Sequence, residues 1–302
     1  MACFHPITAY QPISGGQAIF HEKINHRAIT IPCRQCVGCR LEHSRQWAMR
    51  ITHEASQHLD NVFITLTYDA ENLPPDASLR KKDFQVFIRS LRKRTKKKIR
   101  YYHCGEYGDK NNRPHYHAII FGHNFNDWQY LFDSPSGEPI YTSQTLENIW
   151  QKGFGTVGTV NFQSAGYVAR YCMKKLNGKL ANQRNPQTGL KHYERVNEFT
   201  GEIIPVLPEY STMSTRPSIA TNWITRYTND VYPKDFTTVR GMRSKPPRSY
   251  DRYLESIDVD MYDDIKAGRL LQGYNSVDNS DLRLSARETI KKAQFKQLKR
   301  SL

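Results

Sequence analysis

Hydrophobic positions recur along the chain with two different periods. Between residues 40 and 59, Leu41, Ala48, Ile51, Ala55 and Leu59 keep one helical stripe uninterrupted by Gly or Pro. Residues 62–68 (VFITLTY) largely alternate apolar and polar and are rich in β-formers, which predicts a strand. The turn Asn72-Leu73-Pro74-Pro75 ends it, and Ser78 is placed to cap a helix whose inward stripe is Phe84, Phe87, Ile88 and Leu91. Residues 100–107 and 115–122 read as two strands around the polar loop 108–114, together one β-hairpin. Residues 125–153 are expected to hold a helix around Leu146–Trp150. A strand over 155–162 and a helix from Ala165 to about Leu176, capped by Ser164, follow. Beyond Asn177-Gly178 the pattern changes: 181–210 is polar and turn-rich, 211–262 mixes Arg, Tyr, Trp and Pro, and 283–300 closes as a basic helix. The order strand–helix–hairpin–helix–strand–helix between 62 and 177 predicts an α+β fold, one mainly antiparallel sheet flanked by helices. Three segments are expected: 1–59 with a cysteine cluster and the first helix, a core over 60–180, and an accessory region over 181–302.

Composition narrows the function. At about 150 residues per domain, 302 residues allow two domains. With 38% hydrophobic and 24% charged residues the chain is neither disordered nor fibrous. No apolar window is long enough for a membrane span, so no membrane partner is expected. The opening MACFHP lacks a basic stretch followed by an apolar one, so secretion is not expected either. Forty-four Lys+Arg against 29 Asp+Glu leave a charge of +15, which points to a polyanion, nucleic acid first. Eleven of those cations lie between Arg80 and Arg100 against the single acid Asp83, as a solvated face or a phosphate track. Between 211 and 262, Arg216, Trp223, Tyr227, Tyr232, Arg240, Arg243, Lys245, Arg248, Tyr250, Arg252 and Tyr253 interleave cations and rings, a mixture that single-stranded DNA grooves use; Trp223 reads equally as core.

Cysteines are unevenly placed. Cys33, Cys36 and Cys39 fall within seven residues, while Cys3, Cys104 and Cys172 stand apart. In a chain without a secretion signal, metal ligation suits the cluster better than disulfides. The three thiols need a fourth ligand, for which Cys3 is chosen over His5 or His43. A four-cysteine site for Zn2+ would clip the N-terminus to the first helix and contribute folding energy. An iron–sulfur cluster and unligated buried thiols are the alternatives. Cys104 and Cys172 read as core.

The chemistry concentrates in two places. In Arg113-Pro114-His115-Tyr116-His117, strand period two sends both imidazoles to one face and Tyr116 to the other. The hairpin brings Glu106 alongside, and two His with one carboxylate make a catalytic metal set. His123 is about 20 Å further along the strand and is excluded. In Gly166-Tyr167-Val168-Ala169-Arg170-Tyr171-Cys172-Met173-Lys174, Tyr167, Tyr171 and Lys174 share one helical face. Tyrosines at that spacing are commonly packing residues. Beside a metal that polarises a phosphate, they are also the parts for in-line attack on a phosphodiester. No Gly-x4-Gly-Lys-Ser/Thr loop is present, so the chain is not expected to be a helicase motor.

Taken in order, Phe63-Ile64-Thr65-Leu66-Thr67-Tyr68, His115-Tyr116-His117 and Tyr167-x3-Tyr171-x2-Lys174 resemble the three motifs of the HUH rolling-circle replication endonucleases. Cys33-Arg34-Gln35-Cys36-Val37-Gly38-Cys39-Arg40-Leu41-Glu42 and Gly105-Glu106-Tyr107-Gly108 are similar, more narrowly, to the replication initiators of gokushovirus-type microviruses. The resemblance runs from Cys3 to about Pro247. It implies the HUH fold and a two-tyrosine nickase that cuts the viral origin strand, stays on its 5′ phosphate and frees a 3′-OH to prime synthesis. It also implies Mg2+ or Mn2+ on His115, His117 and Glu106, origin DNA with a host helicase and DNA polymerase as partners, and the cytoplasm of the infected bacterial host as the setting. A transposase or plasmid relaxase keeps the same chemistry, and a zinc-stabilised single-strand DNA-binding protein is the non-enzymatic alternative.

Overall fold

A computed structural model describes residues 3–297 apart from 109–110, 135–136, 172–174, 177–178, 198–199, 240 and 274–278; the side chains of 171, 179–180, 272–273 and 295–296 also lie outside the described part. In chain order, the hairpin β1 (Ile7–Pro12) and β2 (His26–Ile31) precedes helix α1 (Val37–Ala55). Strand β3 (Asn61–Thr67), helix α2 (Lys81–Thr95), the hairpin β4 (Arg100–Tyr107) and β5 (Pro114–Phe121), and a second hairpin β6 (Trp128–Asp133) and β7 (Pro139–Ser143) follow. Next come α3 (Gln144–Trp150), β8 (Gly155–Gly158), α4 (Phe162–Tyr171), the short α5 (Lys179–Asn182), and strands β9 (Glu194–Val196), β10 (Ile203–Pro205) and β11 (Tyr210–Met213). The chain ends on α6 (Thr221–Val231), the hairpin β12 (Thr237–Val239) and β13 (Met242–Ser244), and helices α7 (Arg248–Ile257), α8 (Val259–Gly273) and α9 (Asp281–Gln297).

Compactness divides this α+β chain into Met1–His43 with Asp251–Arg300, and Ser44–Tyr250 with Ser301–Leu302. The linear segments 1–59, 60–180 and 181–302 are a division by role rather than by compactness. In the first unit, β1 and β2 pair antiparallel and α9 buries Leu284 and Glu288. No helix among the described residues is long and apolar enough to cross a membrane.

The second unit is built on a seven-stranded sheet in the order β11-β4-β5-β3-β8-β7-β6, antiparallel at every step. One face carries the main core: Val62, Ile64 and Leu66 of β3 and Tyr116, Ala118 and Ile120 of β5 pack against Phe84, Phe87, Ile88 and Leu91 of α2 and Leu146, Ile149 and Trp150 of α3. These are the apolar stripes that the helical spacing predicted. The other face holds His115 and His117; α4 packs there against β4 and β5, and Trp47 of α1 lies 4.9 Å from the Tyr102 ring. Helices therefore cover both faces.

Local details depart from the sequence reading. Helix α1 ends at Ala55, where the Asn61 side chain donates to the Ala55 carbonyl at 3.0 Å, and Leu59 is left exposed. Ser78 does not cap α2. Its buried hydroxyl accepts from the Leu207 amide at 2.9 Å, and Arg80 takes the N-cap position without a side-chain bond. At α4 the cap is Asn161, whose Oδ1 accepts from the Ser164 amide at 2.8 Å while Ser164 Oγ accepts from the Asn161 amide at 2.8 Å. The stretch 125–153 holds α3 but also the β6–β7 hairpin, which carries the sheet two strands further.

Candidate functional site

Register explains how the first cluster assembles. Glu106 of β4 pairs with His115 of β5, Cys104 pairs with His117, and on the other side of β5 Thr65 of β3 pairs with His117. Side-chain alternation then puts Glu106, both imidazoles and Thr65 on the face covered by α4, and Tyr116 in the core opposite. Gly105 makes room for the edge strand beside this row: a Cβ there would sit 2.8 Å from the Tyr210 ring.

Glu106 Oε1 lies 2.6 Å from His115 Nε2 and 3.1 Å from His117 Nε2. The far nitrogens are also engaged, His115 Nδ1 with the Arg113 carbonyl at 3.2 Å and His117 Nδ1 with Thr65 Oγ1 at 2.9 Å. Glu106 and His117 are buried, and His115 keeps 16% of its side chain open to solvent, so that side is the entrance. Burial alone would raise the Glu106 carboxyl, but hydrogen bonds from His115 and His117 outweigh it and hold the group down at about 2. Both nitrogens of His115 face oxygen acceptors, one a carbonyl and one an ionised carboxylate. Such an arrangement calls for positive charge between Nε2 and Glu106, a proton or a metal ion. One ligand atom from each of Glu106, His115 and His117 lies within 4.8 Å of the others, so the donor set fits a divalent cation.

Tyr167 belongs to the same place. Ala165, Val168 and Ala169 are the buried side of α4, and Tyr167, half-buried, sets its ring edge-on 5.3 Å from His117 and 6.1 Å from Phe63. Phe63 in turn stacks on His117 at 5.7 Å and 12°. Tyr171 closes α4 one turn later; its side chain, together with Lys174 and Cys172, lies outside the described residues. Three neighbours were not singled out by the motifs: Thr65, Phe63 and Arg170. Burial lowers the pKa of the Arg170 guanidinium and the neighbouring Tyr167 phenol opposes that shift. Period two along β3 was the available signal for Thr65 and Phe63, because both share a face with His117.

A second cluster forms around the thiols. Cys3, Cys33, Cys36 and Cys39 bring their sulfurs within 4.8 Å of one another. Cys3 is thus the fourth member, whereas His5 turns to Glu288 at 2.8 Å. Backbone amides point at the sulfurs: Phe4 N–H donates to Cys36 at 3.3 Å, Cys33 N–H to Cys3 at 3.2 Å and Cys36 N–H to Cys33 at 3.3 Å. Burial opposes ionising Cys36, yet the Phe4 and Cys39 amides bring it down to about 7, while burial and Cys3 push Cys39 upward. Four thiolates this close need a cation among them, and amide donors around the sulfurs stabilise that charge. The set fits a tetrahedral metal ion. Cys104 is buried in the sheet, as expected of core.

The basic and aromatic stretches serve other ends. Helix α2 exposes Lys81, Lys82, Arg89, Arg92, Lys93 and Arg94, but it covers the sheet face opposite His117. Trp223 stacks on His53 at 3.6 Å, and Tyr232 and Tyr250 are buried, so much of the aromatic content of 211–262 packs inside the protein.

Comparison with known proteins places these residues in a wider group. Residues 61–176, which span β3 to α4, match the family model for the replication-associated protein ORF2. Over 261 residues the chain is 33% identical to the replication-associated protein VP4 of Bdellovibrio phage phiMH2K, covering 83% of this chain and 76% of that one. It is 32% identical over 280 residues to the replication-associated protein ORF2 of Spiroplasma virus 4, covering 84% and 81%. A shorter match, 32% over 163 residues, joins it to the replication-associated protein ORF4 of Chlamydia phage 1, covering 51% and 41%. No solved structure matches.

Proposed function

Since the chain belongs to the family of phage replication-associated proteins, we propose that it initiates rolling-circle replication as an HUH-type single-strand DNA endonuclease. The observation that carries this reading is the meeting of Glu106, His115 and His117 in one buried set with Tyr167 edge-on 5.3 Å from His117. Glu106, His115 and His117 would hold Mg2+ or Mn2+, which when bound supplies Lewis-acid polarisation of the scissile phosphate.

The chain's own groups do the rest. A phenol oxygen of Tyr167 or Tyr171 attacks phosphorus in line, a P–O bond to tyrosine forms and the P–O3′ bond breaks. The phenol proton ends on the departing 3′ oxygen. The 5′ phosphate stays on the tyrosine and the 3′-OH primes synthesis, so the bond energy is kept for rejoining. Lys174, on the same helical face by spacing, and Arg170 favour the phenolate and the charged phosphate. The cysteine cluster holds structural Zn2+, given four thiol donors and amide-lined sulfurs. Residues 60–180 are the nuclease core, 1–59 the zinc-clipped entry and 181–302 the DNA-binding accessory region. Origin DNA is the substrate, with a host helicase and polymerase extending the product in the bacterial cytoplasm.

A nicking assay on circular single-stranded DNA with Mn2+ tests the metal assignment. Replacing both His115 and His117 with Ala should lower nicking by at least about a hundredfold, the size of a lost transition-state interaction of several kcal/mol. Gel-shift affinity should hold. Unchanged nicking would sink the assignment.

A further inference from the structure

Thr65 stands in a position different from that of the Arg113 carbonyl. Both face the Nδ1 of a site imidazole, at 2.9 Å and 3.2 Å. A carbonyl only accepts, whereas a hydroxyl donates or accepts by rotating about its C–O bond. His117 is buried, so each of its nitrogens must keep a partner. Without a cation, Nε2 has the Glu106 carboxylate at 3.1 Å, which requires Nε2–H; Nδ1 then carries the lone pair and accepts from the Thr65 hydroxyl. With a cation on Nε2, the lone pair must be there, and the ring proton must sit on Nδ1 and donate to Thr65 Oγ1.

We propose that Thr65 is a positioning residue whose hydroxyl reverses its hydrogen bond to His117, letting the imidazole exchange tautomers when a divalent cation enters. The proposal rests on the metal-dependent reading given above. The ring keeps one proton throughout, which moves from Nε2 to Nδ1 while the Thr65 hydroxyl turns from donor to acceptor. Phe63, stacked on His117 at 5.7 Å, keeps the ring plane fixed during the exchange. Register makes Thr65 the residue for this role, since it is the β3 residue paired directly with His117.

The test uses the full-length chain. Free Mn2+, read by its electron paramagnetic resonance signal, gives the affinity of the protein without DNA. Long-range 1H–15N spectra of 15N-histidine-labelled protein, recorded before and after saturation with diamagnetic Zn2+, give the His117 tautomer. Wild type should change from Nε2–H to Nδ1–H on metal addition. Thr65→Val should bind Mn2+ about 10- to 100-fold more weakly, the usual effect of losing an outer partner of a metal-bound histidine. Thr65→Ser should restore binding to near the wild-type value. Wild-type uptake of Mn2+ with equal uptake by Thr65→Val overturns this inference alone. A His117 tautomer that stays the same on metal addition also overturns it, whether or not the valine variant folds. A wild-type chain that takes up no Mn2+ overturns the metal reading of the site and this inference with it.

Discussion

His53, on α1, stacks on Trp223 at 3.6 Å and has Nδ1 2.6 Å from the Tyr250 hydroxyl. Burial lowers its pKa to about 4, against 6.5 for an exposed imidazole. Between those values the unfolded chain binds a proton that the folded chain refuses. Stability is therefore complete above pH 6.5 and falls as pH drops toward 4. From pH 7 to pH 5 this one group should cost about 2 kcal/mol. Urea unfolding at the two pH values should show His53→Gln losing less than wild type by roughly that amount; equal losses would contradict the assignment. His103, fully enclosed beside Phe84, is pushed the same way by burial, so the comparison with the variant is what isolates His53. The two kinds of histidine differ in how visible they are in sequence. His115, His117 and Glu106 are readable because strand alternation and one hairpin bring them together. The partners of His53 are 170 and 197 residues away, a separation no local pattern encodes. Thr65 lies between these cases: its face was readable, its pairing with His117 was not.

Among the elements, those with a strong period were legible and those defined by a neighbour were not. The β3 strand and the α2 stripe of Phe84, Phe87, Ile88 and Leu91 follow from spacing alone. Strand β11 (YSTM) has no such signal; it forms because the edge of β4 is available and Gly105 admits the Tyr210 ring. The β6–β7 hairpin was missed because its outer strand leaves Tyr130, Leu131 and Phe132 exposed, which blurs the alternation. Caps were misplaced by three residues at α4, since Asn161 and Ser164 cap reciprocally and either reads as the start. The cysteine cluster joins Cys3 to the beginning of α1 and gives a prediction at this scale. Purified protein should carry about one zinc per chain, and Cys36→Ser should carry close to none and melt at a lower temperature, because site formation and folding are coupled. Metal analysis with a thermal melt decides it. A zinc-free wild type, or a variant equally stable, would remove the structural role.

At the scale of the whole molecule, the charge of +15 and the chemistry are spatially separate. The basic face of α2 covers one side of the sheet, while Glu106, His115, His117 and Tyr167 occupy the other. General attraction for phosphates is thus a property of the surface, and the cutting reaction a property of one short row of side chains under α4. The α+β class and the order of the central elements were readable because they follow from local periods. The division into two compact units was not, since Met1–His43 joins Asp251–Arg300 from the far end of the chain. The central claim is that a tyrosine of α4 becomes bonded to DNA in a reaction that needs the Glu106, His115 and His117 set. Its most direct test is to incubate the protein with circular single-stranded DNA and Mn2+, digest the DNA, and locate the nucleotide-bearing peptide by mass spectrometry. The account predicts a phosphotyrosine adduct on Tyr167 or Tyr171, absent with EDTA and absent from the Tyr167→Phe, Tyr171→Phe double variant. An adduct that survives in the double variant, or no adduct on DNA the protein clearly binds, would contradict it.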